Sequence, residues 1–179
     1  MKRIFQHLDL YACYGTQIGV KMRIRNYRSE DCEMIAKLFY ETVHSINLKD
    51  YTKAQLNAWA VSDFDLARWD SKLSNHYSVV VEKDSIIIGF GDVDCNGYFD
   101  HLFTHKDYQG IGVATLIADE IEDYTYQNGI YVITTDASIT AKPFFEKRGY
   151  TVQKDQTVEI RGQLLNNFKM QKSLNNEEG

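Results

Sequence analysis

The sequence predicts a mixed α/β domain in which a mostly antiparallel sheet is flanked by helices. Strand-like runs follow one another across short turns in "YSVVVEKDSIIIGFGDVDCNGYFDHLFTH", residues 77–105. A glycine-rich turn and an amphipathic helix come next, and then a buried run, "IYVITTDA". Because a crossover through a helix allows parallel pairing, the strands on either side of this helix are predicted to form one parallel pair.

The remaining elements follow from changes in the period of the apolar residues. After a first strand near Met22, one helix is indicated by residues spaced three and four apart: Ile35, Leu38, Phe39, Thr42, Val43 and Ile46. The segment 51–73 predicts two short helices separated near Ser62. "AKPFFEKRG" predicts a further helix that ends at Gly149, and a terminal hairpin turns at Arg161-Gly162.

The length and composition indicate one globular domain. The chain has 179 residues, of which 44% are apolar, enough for a substantial core. We expect the domain to span residues 22–173. Residues 1–21 differ in composition and are predicted to be an extension of unknown role, and 174–179 form a polar tail.

Charge and cysteine content disfavour several classes of partner. The net charge is −5 and no dense Lys/Arg block occurs, which argues against nucleic acid. The three cysteines lack a CxxC spacing, so neither a disulfide framework nor a zinc site is predicted. No stretch has membrane-spanning length, and we expect a cytoplasmic protein with no membrane partner, either a monomer or a homodimer.

The glycine-rich turn in "KDYQGIGVATLI", residues 106–117, is the main candidate for phosphate binding. A P-loop requires a lysine directly after its last glycine, but the first lysine after Gly112 is Lys142. A dinucleotide fingerprint requires a third Gly or Ala where Thr115 stands, and a parallel strand in front. Both interpretations are therefore disfavoured.

The pattern Gln109-x-x-Gly112-x-Ala114 between a strand and a helix resembles the pyrophosphate loop of the GNAT superfamily of N-acetyltransferases. "ASITAKPFFEKRGY", residues 137–150, is similar to the family's closing helix. The resemblance implies the GNAT fold and acetyl-coenzyme A as co-substrate. The backbone N–H groups of Gly110, Ile111, Gly112, Val113 and Ala114 would face the pyrophosphate at the positive end of the helix.

The resemblance also assigns the strand that precedes the loop. The backbone of Leu102, Phe103 and Thr104 is expected to bind the pantetheine arm, with the Leu102 amide directed at the acetyl carbonyl. A preorganised donor at that position stabilises the oxyanion of the tetrahedral intermediate. The backbone of this strand therefore matters more than its side chains.

Asp100 is the first candidate for the catalytic base. It lies two residues before Leu102, hence on the same strand face, where family members often carry a base. A carboxylate with a pKa of about 4 is a poor direct base for an ammonium near about 10, so Asp100 is expected to orient the amine or pass its proton through water. His101 is the alternative, although strand alternation puts it on the other face unless a bulge intervenes.

A simpler interpretation is that Asp100 and His101 are only a polar stretch of strand surface. His101 and His105 also form an HxxxH pattern, but on a strand these side chains lie about 13 Å apart. No metal site is predicted from them.

One departure from the family concerns the proton donor to the leaving thiolate. Phe145 stands where many members carry Tyr, so Tyr150, Ser138 or a water is left as a possible donor. The thiolate can also leave without a dedicated acid. Ser138 stands where the family often has an Asn that holds the pantetheine arm, so it matches the family only in part, and a helix cap is the favoured single role.

The acceptor groove of the family would be formed by the first helix and by residues 51–76. Tyr40, His44, Trp59 and Trp69 are candidates to line it, but core packing is favoured for at least half of them.

The predicted function is transfer of an acetyl group from acetyl-coenzyme A to a primary amine of a small molecule or peptide, by direct attack in a ternary complex. One alternative is a non-catalytic protein of the same fold that binds or senses coenzyme A or acyl-coenzyme A. Another is a nucleotide-binding module unrelated to coenzyme A. The sequence does not specify the amine.

Overall fold

The computed structural model describes residues 22–174. The strands are β1 (Arg23–Asn26), β2 (Tyr77–Lys83), β3 (Ile86–Val93), β4 (Phe99–Thr104), β5 (Val132–Ser138), β6 (Thr151–Ile160) and β7 (Gln163–Ser173). The helices are α1 (Cys32–Ile46), α2 (Lys53–Trp59), α3 (Leu66–Asn75), α4 (Val113–Gln127) and α5 (Lys142–Lys147). The predicted extension over residues 1–21 and the tail beyond residue 174 lie outside the described residues.

The strands form two antiparallel sheets, with orders β1-β2-β3-β4 and β5-β7-β6. The predicted parallel ladder between β4 and β5 is not confirmed. A single parallel bridge joins Tyr98, the residue before β4, to Thr134 of β5, and Thr134 N donates to Gly97 O over 2.9 Å. Beyond this bridge the edges of β4 and β5 are unpaired with each other.

A β-bulge in β4 explains why the two strands separate. On β3, Asp92 lies opposite His101 and Val93 lies opposite Phe99, so Asp100 is the extra residue of β4. A bulge leaves one residue unpaired and bends the strand that carries it. The bend directs β4 away from β5 and leaves a gap between the two sheets.

Helices cover both faces of the first sheet. Val113, Ile117 and Ile121 of α4 are buried in one apolar cluster, and α1, α2 and α3 contribute to a second cluster on the opposite face. A Cβ on Gly89 of β3 would lie 2.4 Å from Val113 Cγ1, and one on Gly91 would lie 2.5 Å from Ile117 Cγ2. Glycine at these positions lets α4 pack directly on β3, which fixes the start of α4 beside β4.

The helix α2 is held over the β6–β7 hairpin. Thr52 and Gln55 form a capping box at the start of α2, and Gln55 Nε2 donates to Leu164 O over 2.7 Å. Tyr51 Oη donates to Asn166 O over 2.7 Å and accepts from Ile139 N over 2.9 Å. These bonds place α2 across the gap from β4. Within residues 22–174, no helix is both long and apolar enough to cross a membrane.

Candidate active site

A cavity of about 1000 Å³ occupies the gap between β4 and β5. One end, here called the loop end, is formed by the segment from Gln109 to Thr115. The other, called the ionisable end, contains Lys72, Asp100 and His101. Aromatic and aliphatic side chains wall the cavity between them: Phe39, Tyr51, Trp59, Phe103, Val158, Ile160 and Leu165. A single space therefore connects a glycine-rich backbone segment with a group of charged side chains.

The loop end presents backbone donors that no side chain caps. Gly110 and Gly112 have φ of 75° and 93°, a region that favours glycine, and an added Cβ would meet no atom within 4 Å at either position. Gly112 is the N-cap of α4, and the first helical bond runs from Leu116 N to Gly112 O. The first amides of α4, at Val113, Ala114 and Thr115, thus have no acceptor within the helix, and they lie at its positive end.

The side chains of the loop play other roles. Gln109 Nε2 donates to Thr104 O over 2.6 Å and to His105 O over 3.2 Å, so its amide ties the loop to the end of β4. Ile111, which was predicted to contact the cofactor, has a side chain that is 45% exposed and does not line the cavity. Any contact of this residue with a ligand is left to its main chain.

The backbone of β4 faces the cavity at Leu102. His105 N donates to Ile88 O over 2.8 Å, and in an antiparallel ladder the residues that bond to the partner strand alternate. Phe103 and His101 therefore pair with β3, whereas the N–H and C=O of Leu102 point away from it, into the gap. Thr104 O also points away from β3, but it accepts from Thr42 Oγ1 of α1 over 3.1 Å.

The bulge changes the faces that simple alternation predicts. Leu102 packs with the α4 cluster, whereas Asp100 pairs with Lys72 of α3 on the opposite face. The expectation that Asp100 and Leu102 share a face is therefore wrong, because the extra residue shifts the alternation between them. His101 lies on the same face as Asp100, with 3.9 Å between its Nδ1 and Asp100 Oδ2.

His101 belongs to a buried hydrogen-bonded group centred on Asp92. The Nδ1 atoms of His101 and His76 lie 2.7 and 2.6 Å from the two carboxylate oxygens of Asp92, whose side chain is fully buried. Burial alone would raise the pKa of Asp92, but the two imidazoles outweigh it and bring the pKa to about 2. The hydrogen bond to Asp92 in turn raises the pKa of His76.

Three ligand-type side chains of this end lie close together. The donor atoms of His76, Asp92 and Asp100 are within 4.8 Å of one another. Each carboxylate already has protein partners, since Asp92 binds two imidazoles and Asp100 binds Lys72. The internal pairing accounts for this group as an ionic network.

Asp92, His76 and Lys72 were not predicted from the sequence. A signal was present for Asp92, because a carboxylate inside the apolar run "IIIGFGDV" requires a buried partner. Its partners come from β4 and from the residue that follows α3, so spacing along the chain does not identify them. Lys72 lies in a helix whose orientation depends on the tertiary fold.

Only some of the predicted acceptor residues reach the cavity. Trp59 lines it and packs against Tyr51 and Phe103, with ring centroids 5.5 and 6.4 Å apart. Tyr40 and His44 do not line it; their rings lie 4.3 Å apart, and His44 Nε2 donates to Ala60 O over 2.9 Å. These two residues fasten α1 to the segment after α2.

Trp69 is likewise a packing residue. Its ring lies 5.2 Å from that of Phe39 and 5.3 Å from that of His101. It lies behind the cavity wall and helps to hold the His101 ring in place.

The closing segment supplies no phenol to the cavity. Phe145 lines the cavity and is 2% exposed, packed between Phe99 and Tyr150. Tyr150 is not brought to the cavity: its hydroxyl donates to Glu122 of α4 over 3.2 Å, and burial raises its pKa. Ser138 lines the cavity, but its Oγ accepts from Ala141 N over 3.1 Å as a cap of the turn before α5.

Comparison with known proteins assigns the family. The acetyltransferase (GNAT) domain matches residues 47–174. The uncharacterized N-acetyltransferase YafP of Escherichia coli K12 is 35% identical over 154 residues, covering 83% of this chain and 94% of the relative.

Solved structures share the architecture. A GCN5-related N-acetyltransferase from Rhodopseudomonas palustris superposes with a TM-score of 0.83 and 31% identity, over 89% of this chain and 99% of that one. PaiA N-acetyltransferase from Thermoplasma acidophilum, solved in complex with coenzyme A, has a TM-score of 0.72 and 16% identity, over 86% and 99% of the two chains.

The fold and cavity are those of an acyltransferase that uses a coenzyme A thioester. The chain belongs to the GNAT superfamily and is an acetyl-coenzyme A-dependent acetyltransferase.

Proposed function

We propose that the protein transfers an acetyl group from acetyl-coenzyme A to a primary amine of a small molecule or peptide, by direct attack in a ternary complex. The observation that carries this proposal is the continuity of the cavity. The uncapped amides of the loop end, the Leu102 amide and the ionisable end all open into the same space. Such a space can hold both the thioester and the acceptor at once.

Backbone groups hold the coenzyme in this proposal. The amides from Gly110 to Ala114 bind the pyrophosphate, and the exposed edge of β4 from Leu102 to Thr104 binds the pantetheine arm as an added strand. The Leu102 N–H then donates to the acetyl oxygen and stabilises the oxyanion. The coenzyme A complex of the Thermoplasma protein supports this assignment through the shared fold.

The acceptor amine enters beside Asp100. Trp59, Val158 and Leu165 give the middle of the cavity an apolar wall, which favours an amine attached to an apolar body. Asp100 orients the incoming ammonium, which competes with Lys72 for the carboxylate. Phe145 offers no proton to the leaving group, so the sulfur receives its proton from another group of the site.

An assay of acceptor-dependent thiol release tests the function. Purified protein is incubated with acetyl-coenzyme A and a panel of primary amines, and free thiol is measured against a control without acceptor. Amine-dependent release supports the proposal. Binding of acetyl-coenzyme A without release from any amine would favour a sensing protein of the same fold.

Calorimetry tests the identity of the coenzyme. Titrations with coenzyme A, NAD and ATP are compared under the same conditions. The proposal expects binding of coenzyme A alone, and preferential binding of NAD or ATP would indicate a nucleotide site of a different kind.

A further inference from the structure

We propose that His101 carries the protons of the acetyl transfer and that Asp92, a buried carboxylate shared with His76, is the positioning residue that enables it. This inference rests on the proposed function and adds the proton path that Phe145 does not supply. It assigns a role to two residues that do not contact the acceptor, Asp92 and His76.

The contacts around His101 fix the orientation of its ring and engage one of its two nitrogens in a hydrogen bond. The Nδ1 atom donates to Asp92 Oδ1 over 2.7 Å, which leaves Nε2 as the acceptor nitrogen of the neutral ring. The rings of Trp69, Phe90 and Phe103 surround the imidazole, with centroids 5.3 to 6.3 Å away. His101 also lines the cavity. A histidine with one nitrogen on a buried carboxylate and the other free is suited to exchange protons.

The pairing of Asp100 makes it less suited to this role. Its carboxylate is already bound to the ammonium of Lys72, so taking up a proton would break that ion pair. The bulge allows His101 to act as the proton acceptor instead of Asp100. It brings both side chains to one face, with 3.9 Å between His101 Nδ1 and Asp100 Oδ2, and both residues line the cavity. In the proposal, an amine oriented by Asp100 reaches His101 Nε2 within this shared space.

Asp92 stabilises the charge that appears on His101. Because the Asp92 side chain is fully buried, its negative charge acts on the imidazolium with little screening by water. His76 competes for the same charge through its own bond of 2.6 Å. The other charged or titratable groups that face this network are Lys72 of α3, Asp94, Tyr98 and Asp100.

The proton balance follows from the chemistry of amide formation. An ammonium acceptor loses two protons on becoming an amide, and one of them returns to the sulfur. His101 accepts the first at Nε2 and releases it to water. As the C–N bond forms and the C–S bond breaks, His101 accepts the second proton and donates it to the coenzyme A thiolate. The same ring thus serves as base and acid.

Three substitutions test the proposal with the best amine from the panel. His101→Gln is expected to lower kcat by at least about 100-fold, the usual contribution of general acid–base catalysis. Asp92→Asn should lower kcat by about 10-fold or more and move the acidic limb of the pH–rate profile to lower pH, because the charge that favours the protonated ring is lost. His76→Leu should move that limb to higher pH, because the competing partner of Asp92 is gone.

The opposite shifts separate positioning from mere stability, since a loss of stability would not move the acidic limb in opposite directions in Asp92→Asn and His76→Leu. Melting temperature and acetyl-coenzyme A affinity are measured for each variant. If Asp92→Asn does not fold, His76→Leu still decides the question by the direction of its shift. An unchanged kcat in His101→Gln would overturn the inference even if the wild type is active. So would an unshifted acidic limb in folded Asp92→Asn and His76→Leu. Absence of turnover by the wild type with every amine would overturn the proposed function and the inference together.

Discussion

The two ends of the cavity are formed by different kinds of group, main-chain amides at one end and side chains at the other. The loop end relies on main-chain N–H groups, positioned by two glycines with positive φ and by the start of α4. The ionisable end relies on side chains that four segments of the fold bring together: α3, the residue after it, β3 and the bulge of β4. In the proposed function, binding of the coenzyme therefore depends on local backbone conformation, whereas proton transfer depends on tertiary packing.

Gly112→Glu should have the largest effect of the substitutions, because it changes the loop end itself. The substitution places a side chain at φ 93° and a carboxylate where the pyrophosphate is proposed to bind, so we expect acetyl-coenzyme A affinity to fall by at least about 100-fold. Calorimetry measures the change. Gly162→Glu is the matched control, since Gly162 also has positive φ and open space but lies in the β6–β7 turn. Equal loss of affinity in both variants would refute the role of the loop.

Asp100→Asn should affect only the ionisable end of the cavity. We expect kcat/KM for the amine to fall by about 10- to 100-fold, because the neutral amide no longer orients an ammonium. The Kd of acetyl-coenzyme A should change less than about twofold, since no step of coenzyme binding uses this carboxylate. Steady-state kinetics and calorimetry measure the two quantities, and Asp155→Asn, on the exposed part of β6, serves as control. Unchanged turnover would remove Asp100 from the mechanism.

Gly89→Ala should disturb the packing of α4 against β3. The added methyl would lie 2.4 Å from Val113 Cγ1, so the start of α4 must move, at a cost of about 1–3 kcal/mol in the free energy of unfolding. Adding Val113→Ala removes the clashing atom and should restore part of the loss. Urea denaturation measures both variants, and a single variant as stable as the wild type would show that this contact does not position α4.

The smallest effect concerns the pH dependence of stability. Because the bond to Asp92 raises the pKa of His76, its stabilising contribution is complete below the unfolded value of about 6.5 and is lost as pH rises through the folded value. The free energy of unfolding should therefore decline gradually from pH 6 toward alkaline pH, and less so in His76→Leu. Identical pH profiles for the two proteins would argue against the pairing.

The parts of the molecule that depend on local pattern were predictable from sequence. The helices, the antiparallel run of strands and the loop at Gly110 and Gly112 follow from periodicity and from residues close together in the chain. The parallel pairing of β4 and β5 was not confirmed, because a bulge depends on register with a partner strand, which the sequence of β4 alone does not contain.

The contents of the ionisable end were predictable only in part. Asp100 and His101 were identified from their place on the strand, but their common face depends on the bulge. Tyr40 and His44 were expected in the groove because the first helix of the family forms one wall of it. Helical periodicity shows which residues share a face, but not which cavity that face meets. Asp92 and His76 could be recognised only after β3 was placed against β4 and the end of α3.

The central claim is that this cavity binds acetyl-coenzyme A through main-chain donors and passes its acetyl group to an amine. The most direct measurement is release of free thiol by the wild-type protein as a function of amine concentration, at saturating acetyl-coenzyme A. The account predicts a rate that rises with the amine and saturates, with acetylated amine formed in equal amount. A rate that stays at the acceptor-free level for every amine tested would contradict it.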